Sequence, residues 1–219
     1  MNKIEPFTYD ILETVPVLAK EDKIKLIKIS SPLETWFDDF KQGKSKNQNI
    51  IKPYKQWFFD NLENRINNLE KYIRTFVGFN NFQLDYSTKT LTDLEVWLET
   101  SIKSEMMPED EYTQLRNLFP MEIDIEKWTL TELSYSILYD VGMYFGEIMI
   151  HNYPNLKWTQ YISTSKINVD VGHMVIQTKY KNCPMNPIWL VRIIGYKLIE
   201  NKKEDRLLVR LFENNKDLF

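Results

Sequence analysis

The chain reads as an α+β protein: a helix-rich single domain with three or more long helices packed on a small antiparallel sheet. Three observations predict this class. Apolar residues recur every three or four positions from Tyr54 to Val77 and again from Leu91 to Ile102, which is the helical period. A third stretch, beginning near Thr129, is apolar at nearly every position except along one stripe, as in a helix buried almost all round. Two short stretches, 156–162 and 169–178, read as strands able to pair antiparallel, with 82–86 as a candidate third member.

Residues 1–50 are expected to form an N-terminal extension of the same domain, with short helices and a basic loop. Ser31, Pro32 and Glu34 make a good helix start, with Trp36, Phe37 and Phe40 as its packing face. Lys41 to Lys55 carries five lysines and no acid and reads as a solvated loop. Residues 51–219 are expected to form the main domain. In its first helix Tyr54, Phe58, Leu62, Ile66, Leu69, Ile73 and Phe76 draw one apolar stripe, and Gly78 is a natural stop. Phe82 to Tyr86 alternates like a short strand. The polar cluster Ser87 to Thr90 then starts a second helix that buries Leu91, Leu94, Trp97, Leu98 and Ile102.

Thr129 with Glu132 is a capping-box pair for the third helix. Within it, Gly142 and Gly146 lie one turn apart, and each costs about 1 kcal/mol of helix propensity relative to Ala. Such glycines predict a very close neighbour, either a helix or a sheet. Pro154 ends the helical pattern. Leu156 to Ile162, with Trp158 inside it, and Val169 to Thr178 follow as strands, and Gly172 marks a bulge inside the second. Asn186 followed by Pro187 is a cap and first helical position, continued by Ile188, Val191, Ile194 and Leu198. Asp205 to Phe212 reads as a last amphipathic helix.

At 219 residues, with 43% hydrophobic and 14% aromatic residues, the chain can bury a full core without staples. Its net charge of -3 argues against nucleic acid or an anionic membrane as a general partner. The single cysteine, Cys183, rules out an internal disulfide and suits a reducing compartment. No apolar run approaches the length of a membrane helix, and Met1 to Asp10 lacks the order of a signal peptide. The expected location is the cytoplasm.

Candidate chemistry centres on the polar stripe of the third helix. Glu132, Ser136, Asp140, Glu147 and His151 fall within an arc of about 100°. Asp140, Glu147 and His151 could in principle run acid-base chemistry. They span about 16 Å, however, so all three cannot grip one ion. Glu147 with His151 could do so, given ligands from elsewhere. The simpler reading is the solvent-facing or loop-facing edge of a buried helix. Cys183 with His151 or His173 would be a nucleophile and base, but no cysteine-protease context surrounds it. One Cys and two His cannot build a Cys/His metal cluster, and neither a metal site nor a cofactor is expected.

Charge points elsewhere. From Leu91 to Glu126 ten acids face only Lys103 and Arg116. A block this acidic can steer a basic partner, and Glu105, Glu109, Asp110 and Glu111 are the first candidates for that surface.

Two segments then stand out together. One is Leu84, Asp85, Tyr86, Ser87, followed by Leu91, Leu94, Glu95 and Trp97. The other is Gly142, Tyr144, Gly146, Glu147, followed by Asn152 and Trp158. This pair resembles a loose set of small bacterial proteins with the same strand-to-helix turn and later helix, some of which look like immunity partners of secreted or contact-delivered toxins. The resemblance covers about Phe82 to Pro187. It implies a fold more than an activity and carries no catalytic residue; the physical reading makes Gly142, Gly146, Trp158 and Pro187 packing devices.

Three functions follow as expectations. The first is a cytoplasmic bacterial binding protein without catalytic activity, an immunity protein that occludes a basic toxin. The second is a metal-assisted hydrolase centred on Glu147 and His151. The third is a structural or assembly subunit. The oligomeric state is open.

Overall fold

The computed structural model describes residues 7–18, 24–28, 48–118, 125–162, 170–180, 184–202 and 204–216. In chain order these form β1 (Thr14–Leu18), β2 (Ile24–Lys28), α1 (Gln48–Ile73), α2 (Thr88–Ser101), β3 (Ser104–Met106), α3 (Glu109–Leu118), β4 (Trp128–Leu130), α4 (Glu132–Asn152), β5 (Trp158–Gln160), β6 (Met174–Ile176), α5 (Pro187–Ile199) and α6 (Leu207–Asn214). The class is α+β and helix-rich. Its strands pair two by two and antiparallel: β1 with β2, β3 with β4, and β5 with β6.

The centre of the molecule is α4, which packs on α5 and α1; α2 and α5 pack on α6, and β1 lies against α1. From Ser134 to Met149 only Tyr139 and Glu147 escape full burial. Trp97, Tyr144, Phe58 and Phe145 are the largest side chains wholly inside. Each aromatic buries on the order of 150–250 Å², more than the Leu and Ile side chains packed around them. Tyr9 and Leu12 belong to the same core as the helices.

Several expected starts and stops appear as read. The Ser87 side chain caps α2 by accepting from Thr90 N. The Asn186 side chain accepts from Trp189 N at 3.0 Å, and Pro187 takes the first turn of α5. The apolar stripe from Tyr54 to Ile73 faces the core, with Leu62 only partly covered.

Other expectations need correction. Helix α1 begins at Gln48 and runs through Pro53, so residues 48–55 of the basic strip are helical rather than loop. It also ends at Ile73, where Thr75 N and Phe76 N bond three residues back; Gly78, at φ 91°, closes the turn that follows. Phe82 to Tyr86 forms no strand, because its backbone groups bond to side chains instead of a neighbouring strand. The cap of α4 is Thr131, which accepts from Ser134 N, while Thr129 sits in β4 opposite Glu105. Gly172, at φ 89°, lies in the turn just before β6 rather than inside a strand. The β1–β2 and β3–β4 ladders were not expected at all. The helix proposed at Ser31 and the lysines at 41–46 lie outside the described residues.

One acid of the acidic block has an internal task. Helix α6 starts at Arg206 with no side-chain cap of its own. Glu95 of α2, buried, supplies one in trans: its two oxygens accept from Leu207 N at 2.8 Å and Leu208 N at 2.9 Å. The carboxylate satisfies two orphan donors and meets the positive end of the helix dipole.

Candidate functional site

The polar stripe of α4 divides into three separate environments. Asp140 is fully buried. It accepts from Arg65 Nε at 2.9 Å, from Arg65 Nη2 at 2.8 Å and from the Tyr9 hydroxyl. One turn earlier, Ser136 Oγ accepts from Leu12 N at 2.7 Å and from Arg65 Nη2 at 3.0 Å. Arg65 Nη1 reaches the Asp10 carbonyl at 2.6 Å and its carboxylate at 3.1 Å. The stripe at this level is therefore no solvent-facing edge; it faces residues 9–12, which form neither helix nor strand. It is a buried ionic joint between α4, α1 and residues 9–12. Burial pushes the Asp140 carboxyl up to about 6, against the pull of Arg65. Burial, reinforced by Asp140, raises the Tyr9 phenol well above its ordinary range.

Farther along α4, Glu147 is part-buried and accepts from Trp158 Nε1 at 2.7 Å. Burial raises its carboxyl, and the indole bond holds it down. His151 is exposed, and its ring stacks on Tyr86 with centroids 5.1 Å apart. Asp140 is thus tied to Arg65, Glu147 to Trp158, and His151 to Tyr86. Among the described residues, no three His, Cys, Asp or Glu side chains are grouped so as to hold a metal ion.

The two motif segments meet in space. Tyr86 takes a left-handed backbone, φ 60°. Its N–H donates to the Tyr144 hydroxyl at 3.0 Å, and its carbonyl accepts from Asn152 Nδ2 at 3.2 Å. Leu84 N donates to Glu70 Oε2 at 2.8 Å, and Asp85 Oδ1 accepts from Ser87 N and from the Thr90 hydroxyl. The glycines have the close neighbours their spacing predicts, one of each kind. A Cβ on Gly142 would lie 2.5 Å from Ile188 Cα of α5, and one on Gly146 would lie 2.5 Å from Cη2 of Trp158 in β5. Physical packing accounts for both segments.

The acidic candidates share a different region. All three residues of β3 are exposed, Met106 at 71%. Glu105 lies beside Met106, and exposed Glu109, Asp110 and Glu111 form the first turn of α3. First-turn acids also complement the helix dipole. None of the α3 side chains described is fully buried. Glu122 and Asp124 lie outside the described residues. The exposed Met106 was missed in the sequence, where it reads as one more apolar residue.

Cys183 also lies outside the described residues. His173, its possible partner, sits at the turn before β6, and burial with the nearby charge of Arg192 pushes its imidazole down to about 4. It is therefore neutral at pH 7. Between pH 6.5 and 4 the unfolded chain takes up a proton that the folded protein refuses, so His173 removes stability as pH falls through this window. The expected loss is about 2 kcal/mol, allowing for the part of the ring that reaches solvent. Asp140 tilts the opposite way between about 4 and 6, since the folded protein keeps its proton longer than the unfolded chain. Urea titrations of the protein and of His173→Asn at pH 7, 6, 5 and 4 separate the two. The gap between the curves should change by about 2 kcal/mol in favour of the variant on acidification; a constant gap excludes the effect.

Among the described residues, no helix is long and apolar enough to cross a membrane. No protein-family model, curated protein or solved structure matches this chain.

Proposed function

We propose that the chain is a non-catalytic binding protein that holds a basic protein partner on the surface formed by β3 and the first turn of α3. The observation that carries this reading is the combination there: a solvent-exposed methionine, Met106, with exposed Glu105, Glu109, Asp110 and Glu111 close by in the chain. Methionine is an adaptable apolar anchor, and clustered acids steer and orient a basic surface. Taken with the resemblance of the 82–187 segments, the partner class is a toxin, blocked by occlusion in the bacterial cytoplasm. The hydrolase reading centred on Glu147 and His151 is the weaker alternative, since the described partners of both side chains are aromatic residues of this chain. The assembly-subunit reading has no specific observation in its favour.

The test is affinity capture from the native lysate at low and moderate salt, with the protein and with Glu105→Gln, Glu109→Gln, Asp110→Gln and Glu111→Gln combined. Neutral replacements spare α3 a reversed dipole contact. A basic protein that is captured at low salt, falls away at moderate salt and is lost about 100-fold by the combined variant is the expected result. Equal capture by both proteins would rule out this surface.

A further inference from the structure

The structure contains two arginines drawn into the protein with very different surroundings. Arg65 has Asp140, Asp10 and Ser136 as acceptors. Arg192, on α5, has no ion-pair partner among the described residues. Its guanidinium carbon lies 4.5 Å from the ring centroid of Tyr135, 5.8 Å from that of Trp189 and 6.0 Å from that of Tyr196. The Tyr135 and Tyr196 hydroxyls are 2.7 Å apart, and Thr129 Oγ1 is 3.0 Å from the first. Burial opposes the guanidinium charge, and both phenol oxygens accept from the guanidinium and favour it. The rings Trp128 and Tyr196 continue the aromatic wall, with centroids 6.0 Å apart.

Ring faces stabilise a cation through its flat side. They do not answer the five donors in the plane of the guanidinium. The phenol oxygens are neutral, and Arg192 Nε is buried without an acceptor. Among the described residues the other two such atoms, Asn68 Nδ2 and Trp97 Nε1, belong to neutral groups, so Arg192 is the charged case there. A buried unsatisfied donor on a charged group costs more than a neutral one, and such groups are normally paired. An oxyanion answers every one of these features. It takes two parallel N–H bonds from the guanidinium fork and one further O–H bond from a phenol, and it brings a neutralising charge. Arg192, Tyr196 and Trp189 are only partly covered, so the cluster reaches the surface.

The geometry points to a binding site for a small oxyanion, a carboxylate or phosphate group, anchored by Arg192 with the Tyr196 hydroxyl, which accepts from Tyr135, as a further donor and Trp189 at its flank. It is independent of the acidic surface at β3 and α3. Trp189 and Trp128 make it directly observable. Tryptophan emission is followed while inorganic phosphate and, separately, acetate are added at ionic strength held constant with chloride. The expected result is a saturable change for at least one anion, lost in Arg192→Met and weakened at least 10-fold in Arg192→Lys, because lysine offers a point charge rather than a fork. The anion that binds more tightly identifies the group recognised. No saturable change with either anion, or the same change in Arg192→Met, overturns the proposal. Should Arg192→Met not fold, the Arg192 Nε–H resonance of the unmodified protein gives the answer by itself: it shifts saturably with the bound anion, and a resonance that stays in place overturns the site.

Discussion

Asp140→Leu will cost the protein about 3–5 kcal/mol, the range for breaking a buried ion pair by removing one partner. Three donor contacts converge on this carboxylate, two from Arg65 and one from Tyr9. Without it the Arg65 guanidinium stays in the interior with only Ser136 and Asp10 to face it. Tyr9 loses its acceptor at the same moment, so residues 9–12 lose part of what docks them onto α1 and α4. Two measurements separate these effects. Urea unfolding gives the total loss. Limited proteolysis near Asp10 reports whether the docked segment opens ahead of the rest. The double variant Arg65→Met with Asp140→Leu should recover most of the loss, because a buried pair replaced by apolar groups of similar volume is often neutral. A single variant within about 1 kcal/mol of the parent would mean that the pair carries no weight.

Gly146→Ala will be destabilising by about 2–3 kcal/mol, although alanine is the better helix former by about 1 kcal/mol. The new methyl meets the Trp158 indole. That ring cannot swing aside freely: its Nε1 is bonded to Glu147 Oε1, and it meets the Phe58 ring in an edge arrangement with centroids 4.8 Å apart. Moving it breaks a bond or opens a gap on the far side. Gly142→Ala will be at least as damaging, because the nearest atom is Ile188 Cα, and backbone can move only if α5 shifts as a body. Thermal unfolding of both variants checks the order. Combining Gly146→Ala with Trp158→Leu should cost clearly less than the sum of the two single changes, since the smaller side chain vacates the space the methyl needs. Simple additivity would show that the methyl and the indole do not meet.

Local signals in the sequence carried far where they acted through nearest neighbours. The α1 stripe, the Ser87 cap, the Asn186 and Pro187 pair, and the glycines of α4 are all legible because each depends on residues within a turn or on one intolerable contact. The short ladders were illegible for the same reason in reverse. In β3 all three residues are exposed, so no alternation of burial exists to betray a strand. Phe82 to Tyr86 alternates but is held by Glu70, Tyr144 and Asn152 side chains, which period alone cannot distinguish from a strand partner. Asp140 presented the largest gap. Its spacing with Glu147 and His151 suggested a shared surface, whereas its true partner, Arg65, is 75 residues away. Nothing in local charge pattern marks one acid of a stripe as buried. Arg192 leaves no mark in the sequence because its aromatic neighbours, Tyr135 and Tyr196, read as ordinary core residues.

The joint at Asp140 also has a timetable. Tyr9 and Asp140 are separated by 131 positions, so a chain growing from its N-terminus displays Tyr9, Asp10 and Leu12 long before Ser136 and Asp140 exist. At about 5–20 residues per second that wait is on the order of 10 s. Until then Arg65 lacks Asp140 and the apolar face of α1 lacks α4, so residues 9–12, though made earlier, are among the last able to settle. Newborn chains therefore pass through a long interval with Tyr9, Leu12 and Phe58 accessible to water, and in that interval a holding chaperone would find its binding surface.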